Sequence, residues 1–312
     1  MLIDPFGRAL SRLRLSVTDR CNLACIYCDR EGLTASKDEM SLEEIVRLAD
    51  VGSRLGMGKV KITGGEPLLR PDIVEIVRRI SSLPSVTEVS MVTNGTLLAE
   101  KAEPLAKAGL ERVNVNLASL DPAVYKRICG GDVQAVLEGI WKAKAAGLSP
   151  VKLNTVVLKG LNDDGIRQLM DFCASTSAIL QLIELHYVKG IVDEPFFKRH
   201  YASLDAIEAG LMASAAKVVR RTDMQFRPRY VFKGGLEVEL VRFQGNCEFC
   251  AHCTRLRVTS DGKVKPCLMR DDNLVDVLAA MRSGAADEEL QRLFQSAASL
   301  REPYQANTLM EA

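Results

Sequence analysis

Short runs of alternating hydrophobic and polar residues recur through the first two thirds of the chain. Alternation with a period of two is typical of half-buried strands. The predicted strands are Arg12–Val17, Lys59–Ile62, Glu88–Thr93, Arg112–Leu117, Val151–Val157 and Ala178–Leu185. Amphipathic helical runs separate these strands, and such an order predicts an α/β fold with a parallel sheet.

Capping residues mark the ends of the intervening helices. Ser41–Glu44 is a capping box, Asp72 and Asp132 are predicted N-caps, and Asp163 or Asp164 is predicted to start a further helix. The predicted helices are Leu42–Leu55, Ile73–Ser81, Ala123–Ile128, Val133–Ala146 and a run that ends at about Ser175. A doubly wound sheet and a barrel are both compatible with this order, and both place active sites on the loops after the strand C-termini.

The regular alternation stops at about His186, and His186–His200 is predicted to be an irregular connection. The elements predicted after it are a helix at Leu204–Ala215, a hairpin at Val231–Val241 that turns at Gly234-Gly235, and helices near Leu274–Met281 and Asp287–Phe294. We therefore predict two domains, formed by residues 1–200 and residues 201–312.

Composition and charge narrow the classes of partner. The chain has 312 residues, of which 47% are hydrophobic and 26% are charged, as in an ordinary globular protein. Its 41 Lys and Arg against 40 Asp and Glu leave a net charge of +1, so no overall field favours nucleic acid or a membrane surface. No apolar stretch reaches membrane-spanning length, and the N-terminus does not resemble a signal peptide. We expect a cytoplasmic protein with no nucleic-acid or membrane partner.

Cys21, Cys25 and Cys28 form a C-x3-C-x2-C run directly after the first predicted strand. Thiolates are the usual ligands of iron–sulfur clusters, and three of them leave one iron of a four-iron cluster without a protein ligand. Structural zinc is less suitable, because it takes four ligands and no other Cys or His lies within about twenty residues of the run. Cys129 and Cys173 lie in or beside helical runs, where packing is their expected role.

Gly64-Gly65-Glu66-Pro67 ends the second predicted strand. The two glycines allow the backbone to pass close to a ligand, Glu66 offers an acceptor to an ammonium group, and Pro67 fixes the exit of the chain. Thr93-Asn94-Gly95 ends the third strand on the same rim. Taken alone, each segment is as compatible with a simple turn as with a binding site.

A second cysteine group contains Cys247, Cys250, Cys253 and Cys267. The segment between the last two predicts a pair of strands joined by a Ser260–Gly262 turn, which would bring Cys267 back to Cys253. Four thiolates at these spacings are compatible with a structural zinc site or with an iron–sulfur cluster. We favour iron–sulfur, because one redox cofactor commonly needs another.

The first cysteine run, with Gly64–Pro67 one strand later, resembles the signature of the radical S-adenosylmethionine (radical SAM) enzymes. The resemblance implies an open partial (βα)6 barrel with a C-terminal extension that carries an auxiliary iron–sulfur cluster. It also implies that SAM chelates the open iron of a [4Fe–4S] cluster and is cleaved to a 5′-deoxyadenosyl radical. The residues expected at SAM are Tyr27, Gly64, Gly65, Glu66, Thr93, Asn116 and His186.

The chain resembles the GTP 3′,8-cyclase (MoaA) family from Phe6 to about Tyr304. Three longer segments carry this resemblance: Leu13–Asn22, Lys61–Arg70 and Cys250–Cys267. The resemblance implies conversion of GTP to (8S)-3′,8-cyclo-7,8-dihydroguanosine 5′-triphosphate, the first step of molybdenum cofactor biosynthesis. It implies a second [4Fe–4S] cluster, whose open iron takes the guanine and whose ligands are Cys250, Cys253 and Cys267. Implied partners are a reduced flavodoxin- or ferredoxin-type electron donor and a downstream cyclic pyranopterin monophosphate synthase.

Cations at strand positions predict a site for a polyanion. By alternation, Lys59 and Lys61 share one face of their strand, as do Arg255 and Arg257. Cations inside a barrel are costly unless an anion meets them, although Lys59 and Lys159 are also compatible with an exposed rim. By resemblance, the residues expected to bind GTP are Arg14, Lys61, Thr63, Lys159, Arg255 and Arg257.

The chain departs from the family pattern at several positions. Asn116 and Ala118 stand where many members have a Ser and an Asp, Gln181 replaces an Arg of bacterial relatives, and His186 replaces a Met. Cys247 is an additional thiol, which we predict to be a spectator. The bacterial C-terminal Gly-Gly tail is absent, and this absence, together with Gln181 and Lys61, resembles the archaeal branch of the family.

Two other functions stay open on the sequence alone. A paralogue could keep the radical machinery and act on another substrate such as a peptide. Only eleven residues precede the first strand, which disfavours an N-terminal peptide-recognition domain. A non-enzymatic iron–sulfur or zinc protein could bind a nucleotide and sense redox state. Iron content and SAM cleavage separate these alternatives.

Overall fold

Six parallel strands in chain order form the centre of a twelve-stranded sheet. The structure, a computed structural model, describes residues 1–32, 38–188 and 191–302. The strands are β1 (Leu2–Ile3), β2 (Ala9–Leu10), β3 (Arg12–Ser16), β4 (Lys59–Thr63), β5 (Glu88–Thr93), β6 (Arg112–Asn116), β7 (Val151–Val157), β8 (Ile179–Glu184), β9 (Lys217–Arg221), β10 (Arg227–Val231), β11 (Glu237–Val241), β12 (Arg255–Val258), β13 (Lys263–Lys265) and β14 (Val275–Asp276).

The α-helices occupy the crossovers and the C-terminal third. They are α1 (Leu42–Arg54), α2 (Ile73–Ser81), α3 (Leu98–Lys107), α4 (Pro122–Cys129), α5 (Val133–Ala145), α6 (Ile166–Thr176), α7 (Glu194–His200), α8 (Asp205–Ser214), α9 (Cys247–Ala251), α10 (Val277–Arg282) and α11 (Asp287–Ser299). None of the described helices has the length and apolar character of a membrane span. A cytoplasmic location stays a prediction.

The order of the sheet is β14-β13-β12-β3-β4-β5-β6-β7-β8-β11-β10-β9. The C-terminal third extends it at both edges, because β12 pairs in parallel with β3 and β11 pairs in parallel with β8. Within the described residues β14 and β9 do not pair with each other, so the sheet stays open. The predicted α/β fold, an open partial (βα)6 barrel with a C-terminal extension, is confirmed. The predicted domain boundary at residue 200 stays a prediction. Strands that precede and strands that follow this boundary belong to the same sheet.

The predicted N-cap residue is correct for three helices, of which α2 lacks the side-chain hydrogen bond of a cap, and wrong for the fourth. Ser41 and Glu44 form the complete capping box of α1, and Asp132 caps α5. Asp72 makes no cap hydrogen bond at α2, because both of its carboxylate oxygens accept from Arg70 at 2.9 and 2.7 Å. The N-cap of α6 is Gly165 rather than an Asp, and Asp163 accepts instead from the backbone of Gly160.

The connection after β8 is more regular than predicted. Residues 194–200 form α7, whose N-cap Asp193 accepts from the backbone N–H of Phe196. The predicted hairpin is confirmed as β10 and β11, with Gly234 and Gly235 in the left-handed conformation at φ +94° and +90°. Part of this connection, Lys189-Gly190, lies outside the described residues.

Alternation along the central strands separates an apolar outer face from a polar inner face. Leu13 of β3 is completely buried and packs against Gly52 of α1, whereas Arg14 faces inward beside Lys61 of β4 and Arg257 of β12. The two sides of the open sheet meet where the amide oxygen of Gln225, just before β10, accepts in its hydrogen-bonding orientation from Arg255 at the start of β12, at 2.5 and 2.6 Å. The sheet therefore encloses a polar lumen.

Candidate active site between two cysteine groups

The first cysteine group lies on the loop that follows β3, at the C-terminal edge of the parallel strands. Two backbone hydrogen bonds tie this loop to the end of α4, from Ala24 (3.1 Å) and Ile26 (3.0 Å) to the carbonyls of residues 129 and 128. Cys21 and Cys28 are exposed, Cys25 is half-buried, and all three are free thiols. A ligand set of three thiols therefore faces the mouth of the lumen.

The protonation behaviour of these thiols fits a metal cluster. Although Cys28 keeps exposed surface, the protein around its sulfur desolvates it and raises its pKa to about 12, and Asp29, Cys25 and Cys21 add to the shift. Burial also raises the pKa of Cys21, with Glu66 and Cys25 contributing. A thiolate is unfavourable here until a positive charge meets it, and bound iron supplies that charge. The donor set therefore fits an iron–sulfur cluster.

Gly64 and Gly65 lie directly against the backbone of the cysteine loop. Gly65 N donates to Thr18 O and Glu66 N donates to Arg20 O, both at 2.7 Å. A Cβ built at Gly65 would lie 2.3 Å from Arg20 O. We expected the backbone of Gly64 and Gly65 to pass close to a ligand. In this structure it passes close to the backbone of the cysteine loop. The contact of Gly64 and Gly65 with SAM stays a prediction.

The carboxylate of Glu66 joins the ends of β4 and β5. It is completely buried and accepts from Leu68 N (2.9 Å), Thr93 Oγ1 (2.7 Å) and Asn94 N (2.6 Å). Asn94 Nδ2 then donates to Asn22 Oδ1 at 2.8 Å, which connects this corner to the cysteine loop. Burial raises the pKa of Glu66 in spite of these donors. Glu66 positions the strand ends, and its contact with the amino group of SAM stays a prediction.

His186 connects the end of β8 to the cysteine loop. Its Nε2 lies 2.9 Å from Asp29 Oδ2, and its ring lies 4.4 Å from that of Phe243. Burial opposes the ionisation of Asp29, but His186 and Arg14 outweigh it and lower the pKa of Asp29. Among the described residues His186 Nδ1 is buried without a hydrogen-bond partner. This nitrogen offers a ligand a hydrogen bond at the rim where the adenine of SAM is expected.

Two further predicted SAM residues lie on this rim. Tyr27 is half-buried against the core with its hydroxyl beside Cys129 and Cys25, and burial raises its pKa. Asn116 ends β6 and lies beside Asn154 of β7 in the sheet register. Their contacts with SAM stay predictions.

The second cysteine group lies at the opposite end of the lumen, next to the start of β12. The antiparallel pairing of Arg257 with Lys265 confirms the predicted hairpin and returns the chain toward Cys253. Cys250, Cys253 and Cys267 are half-buried. Ser11 N donates to Thr254 O at 3.1 Å, which places this group at the start of β3, whereas the first group follows its end. Five residues of β3 at about 3.3 Å each separate the two groups by roughly 16 Å.

A buried ion cluster holds the backbone of the second group. Arg8 Nη1 donates to Cys250 O and Arg301 Nη2 donates to Cys253 O, both at 2.9 Å. Both guanidinium groups also bind the buried carboxylate of Asp4. The sequence did not predict this cluster, because its members are almost 300 residues apart and no local pattern links them.

The thiols of the second group differ in acidity. Burial opposes ionisation of Cys253, but Arg255, Arg301 and Arg257 outweigh it and lower its pKa to about 7. Burial raises the pKa of Cys250 to about 11, with Cys253 and Cys267 adding to the shift. Within residues 1–32, 38–188 and 191–302, no three His, Cys, Asp or Glu side chains are grouped so that a single metal ion could bind them.

The inner face between the two groups carries a concentration of buried cations. Burial lowers the pKa of Arg255 to about 9, Cys253 opposes the shift, and the guanidinium groups of Arg257, Arg14 and Arg227 add to it. Burial likewise lowers the pKa of Lys61, and neighbouring cations contribute. We call this surface the cationic lumen and define it by Arg14, Lys61, Arg227, Arg255 and Arg257. Such an arrangement is unfavourable unless an anion enters it.

One wall of the cationic lumen has buried hydrogen-bond donors beside a water-sized cavity. Glu31 lies between Arg14 and Arg257, at 2.6 and 2.7 Å, and a cavity lined by these residues and Thr63 lies beside it. Among the described residues Arg14 Nε and Thr63 Oγ1 are buried without partners. A ligand with several acceptor oxygens would satisfy these donors.

The structure brings Arg14, Lys61, Thr63, Arg255 and Arg257 together, as predicted for a polyanion site. Lys159 lies apart from them on an exposed loop, where its backbone pairs with His200. Its contact with GTP stays a prediction.

Sequence reasoning missed several inner-face residues: Glu31, Asn114, Lys152, Asn154, Arg227 and Glu239. A signal for four of them was present. Asn114, Lys152, Asn154 and Glu239 are polar residues that alternate with apolar ones on predicted strands, the same pattern that identified Lys61.

Two family models cover most of the chain. The model of the radical SAM superfamily matches residues 15–173, and the model described as Molybdenum Cofactor Synthesis C matches residues 178–307. The first match contains Cys21, Cys25 and Cys28, and the second contains the other cysteine group.

Curated archaeal proteins are similar along almost their entire length. A "Probable GTP 3′,8-cyclase" of Thermococcus kodakarensis is 52% identical over 309 residues, which are 97% of this chain and 99% of that protein. Proteins of the same name from Pyrococcus horikoshii and Methanothermobacter thermautotrophicus are 47% and 45% identical, over 97% and 96% of this chain and 98% of each of those proteins.

Solved structures share the fold at low sequence identity. SuiB of Streptococcus suis superposes with a TM-score of 0.64 at 18% identity and covers 89% of this chain and 62% of its own. The enzyme anSMEcpe, solved with bound AdoMet and a peptide, gives a TM-score of 0.56 at 16% identity and covers 92% of this chain and 82% of its own.

Proposed function

Because the chain belongs to the radical SAM superfamily and to the family of archaeal proteins named GTP 3′,8-cyclase, we propose that it converts GTP to (8S)-3′,8-cyclo-7,8-dihydroguanosine 5′-triphosphate. This reaction is the first step of molybdenum cofactor biosynthesis. Membership of the superfamily implies SAM and one [4Fe–4S] cluster, for which Cys21, Cys25 and Cys28 are the proposed ligands.

The observation that carries the proposal is the position of the cationic lumen between the two cysteine groups. A nucleoside triphosphate is a long polyanion, and the buried guanidinium groups of Arg14, Arg255 and Arg257 suit phosphate oxygens, which they can bind in pairs. The separation of about 16 Å along β3 is long enough for an extended nucleotide to reach from one cysteine group to the other. A neutral or cationic substrate would leave Arg14 and Arg257 sharing the single carboxylate of Glu31.

The second [4Fe–4S] cluster is also proposed, with Cys250, Cys253 and Cys267 as ligands. Three ligands leave one iron open, and that iron is the proposed contact of the guanine. The lowered pKa of Cys253 supports a thiolate there before any metal binds.

The chain's own residues would position the substrate and exclude water. When SAM and its cluster are bound, they supply the 5′-deoxyadenosyl radical that takes the 3′ hydrogen of GTP. Arg14, Arg257 and Thr63 would bind phosphate oxygens. The hydrogen bonds of Glu66 would fix the ends of β4 and β5 relative to each other. The C3′ radical would then add to C8 of the same nucleotide, and the nitrogen-centred radical left by this addition would be reduced with one electron and one proton. The proposed source is a reduced flavodoxin- or ferredoxin-type donor, and the proposed recipient of the product is a cyclic pyranopterin monophosphate synthase.

The test is anaerobic reconstitution of the full chain with iron and sulfide, followed by incubation with SAM, dithionite and GTP. We expect mass spectrometry to detect 5′-deoxyadenosine and an isomer of GTP in which C3′ is bonded to C8. The matched control is Cys21→Ala, which should form neither product. If SAM is cleaved and GTP is returned unchanged, the protein acts on another substrate.

A further inference from the structure

Arg227 of β10 extends into the cationic lumen as far as β8. Its Nη1 donates to Gln181 Oε1 at 3.1 Å, and its Nε donates to Met224 O at 2.9 Å. The strand β11 lies between β8 and β10 in the sheet, so the side chain crosses one strand to make this contact. Arg227 is buried.

A chain of amides connects Arg227 to Lys61 across the lumen. Lys61 Nζ donates to Asn114 Oδ1 (2.9 Å), and Asn114 Nδ2 donates to Asn154 Oδ1 (3.1 Å). From the other side, Arg227 donates to Gln181, whose Nε2 donates to the same Asn154 oxygen at 3.1 Å. Two cations therefore point along one row of neutral groups, which fixes their positions without neutralising them.

The acids near Arg227 are already engaged by closer cations. Its Nη2 lies 3.9 Å from Glu239, beyond hydrogen-bonding distance. Both oxygens of Glu239 accept from Lys152 at 2.8 Å, and one also accepts from Arg229 at 2.9 Å. Glu237 pairs with Arg229 at 2.6 Å. Among the residues that the structure describes, Nη2 of Arg227 makes no hydrogen bond, so it retains donors for a ligand.

The charge of Arg227 acts on the proposed substrate site. Arg227 lies two residues after Gln225, whose amide oxygen, in its hydrogen-bonding orientation, accepts from Arg255 at 2.5 and 2.6 Å. Burial lowers the pKa of Arg227; Glu239 opposes that shift and neighbouring guanidinium groups add to it. An anion within reach of both Arg227 and Arg255 would relieve this repulsion.

We propose that Arg227 binds the phosphate groups of the substrate, together with Arg255 on the facing edge of the sheet. The identity of that substrate as GTP rests on the proposed function, whereas the anion site rests on the contacts of Arg227. Gln181 orients the guanidinium group, and Lys152 and Arg229 hold Glu239 away from it.

The test is calorimetric titration of the anaerobically reconstituted holoenzyme with inorganic tripolyphosphate, GTP and guanosine. Arg227→Met should weaken binding of tripolyphosphate and of GTP by about ten- to a hundredfold, the loss of a hydrogen bond to a charged group. Guanosine binding should not change, because guanosine carries no phosphate. The matched control is Arg242→Met, since Arg242 pairs with Glu208 and Asp205 away from the lumen; it should bind all three probes as the unmodified protein does.

Two further variants separate binding from folding. Arg227→Lys keeps the positive charge but loses the paired N–H donors of the guanidinium group. Its affinity for tripolyphosphate should lie between those of the unmodified protein and Arg227→Met. Adding Gln181→Arg to Arg227→Met places a new guanidinium group beside the lost one, and it should recover at least part of the affinity. A residue that only supports the fold would not be rescued in this way.

The outcomes distinguish the inference from the proposed function. Unchanged tripolyphosphate binding in Arg227→Met and Arg227→Lys overturns the inference. An equal loss for guanosine also overturns it, because Arg227 would then act on the nucleoside or on the fold. If tripolyphosphate binding depends on Arg227 but the unmodified enzyme does not convert GTP, the inference stands and the proposed function fails.

Discussion

The carboxylate of Glu31 accepts a hydrogen bond from Arg257 Nη1 at 2.7 Å. Glu31 belongs to the segment that follows Cys28, and Arg257 belongs to the strand that follows Cys253. The pair therefore joins the segment after the first cysteine group to the strand between Cys253 and Cys267 of the second group, and the carboxylate also meets Arg14. A substrate phosphate that binds these guanidinium groups competes directly with Glu31.

Glu31→Gln should therefore strengthen the binding of polyanions. Without the carboxylate, Arg14 and Arg257 lose their counter-charge, and we expect the dissociation constant of tripolyphosphate to fall about three- to tenfold. The melting temperature should fall at the same time, because two partly buried cations are left uncompensated. Calorimetric titration and thermal unfolding of the reconstituted protein measure both effects.

Glu43→Gln is the matched control for this change, since Glu43 is an exposed acid that pairs with Arg79 on the outer surface. It should alter neither quantity. Equal or weaker polyanion binding in Glu31→Gln would show that this carboxylate does not compete with the substrate.

Arg257→Ala should have the opposite effect on the substrate. Arg257 is buried and faces the cavity beside Thr63. Loss of its charged hydrogen bonds should weaken GTP binding by about 1.5–3 kcal/mol. Equilibrium titration of GTP into protein of verified iron content measures this. Unchanged affinity with intact clusters would indicate a different substrate.

Replacement of Cys21, Cys25 or Cys28 by Ala should abolish reductive cleavage of SAM. Each variant removes one ligand from the first cluster while the second group, at the other end of β3, keeps its own iron. The measurements are 5′-deoxyadenosine by mass spectrometry and iron per chain. Cys173→Ala is the control, because Cys173 is buried in α6 and remote from both groups in the sheet order. A triple variant that still makes 5′-deoxyadenosine would contradict the cluster assignment.

The sequence predicted the central βα core because each of those strands buries an apolar face under helices. In β3 the pattern is Leu13 and Leu15 outward, and both are completely buried. The strand β9 and the part of β10 before Val231 were missed for the reverse reason. Their inward residues include Arg221, Arg227 and Arg229, so the buried side is the polar one, and a search for apolar alternation cannot find it.

Site residues were also predicted in part, according to whether a local sequence motif marks them. The cysteine groups were predicted because their ligands are close together in the sequence and their spacing is informative. Asp4, Arg8 and Arg301 were not predicted, because their contacts join the two ends of the chain. Glu31 carried no motif, and its position between two arginines depends on how the loop after Cys28 folds over the lumen.

Glu66→Gln should reduce stability, because it keeps the shape of the side chain but turns one acceptor oxygen into a donor. The new NH2 group would face a group that now donates a hydrogen bond to Glu66, on Leu68, Thr93 or Asn94. A buried donor left unsatisfied costs about 1–3 kcal/mol, measurable by denaturant unfolding of the reconstituted protein. Glu75→Gln on the exposed surface of α2 is the control. Unchanged stability with lost SAM binding would assign Glu66 to the ligand instead.

Cys247→Ala should leave the second cluster intact. Cys247 is exposed at the first turn of α9, whereas Cys250, Cys253 and Cys267 are half-buried. It is also the weakest of the three thiols that raise the pKa of Cys250.

A fourth thiolate on this cluster would close the iron that the proposed guanine contact requires. We therefore expect Cys247→Ala to keep its full iron content, and GTP to perturb the paramagnetic spectrum of the second cluster in the variant as it does in the unmodified protein. If GTP perturbs that spectrum only after the mutation, then Cys247 closes the cluster in the native chain. The guanine would then have no iron to bind, and a radical SAM paralogue with another substrate would explain the site better.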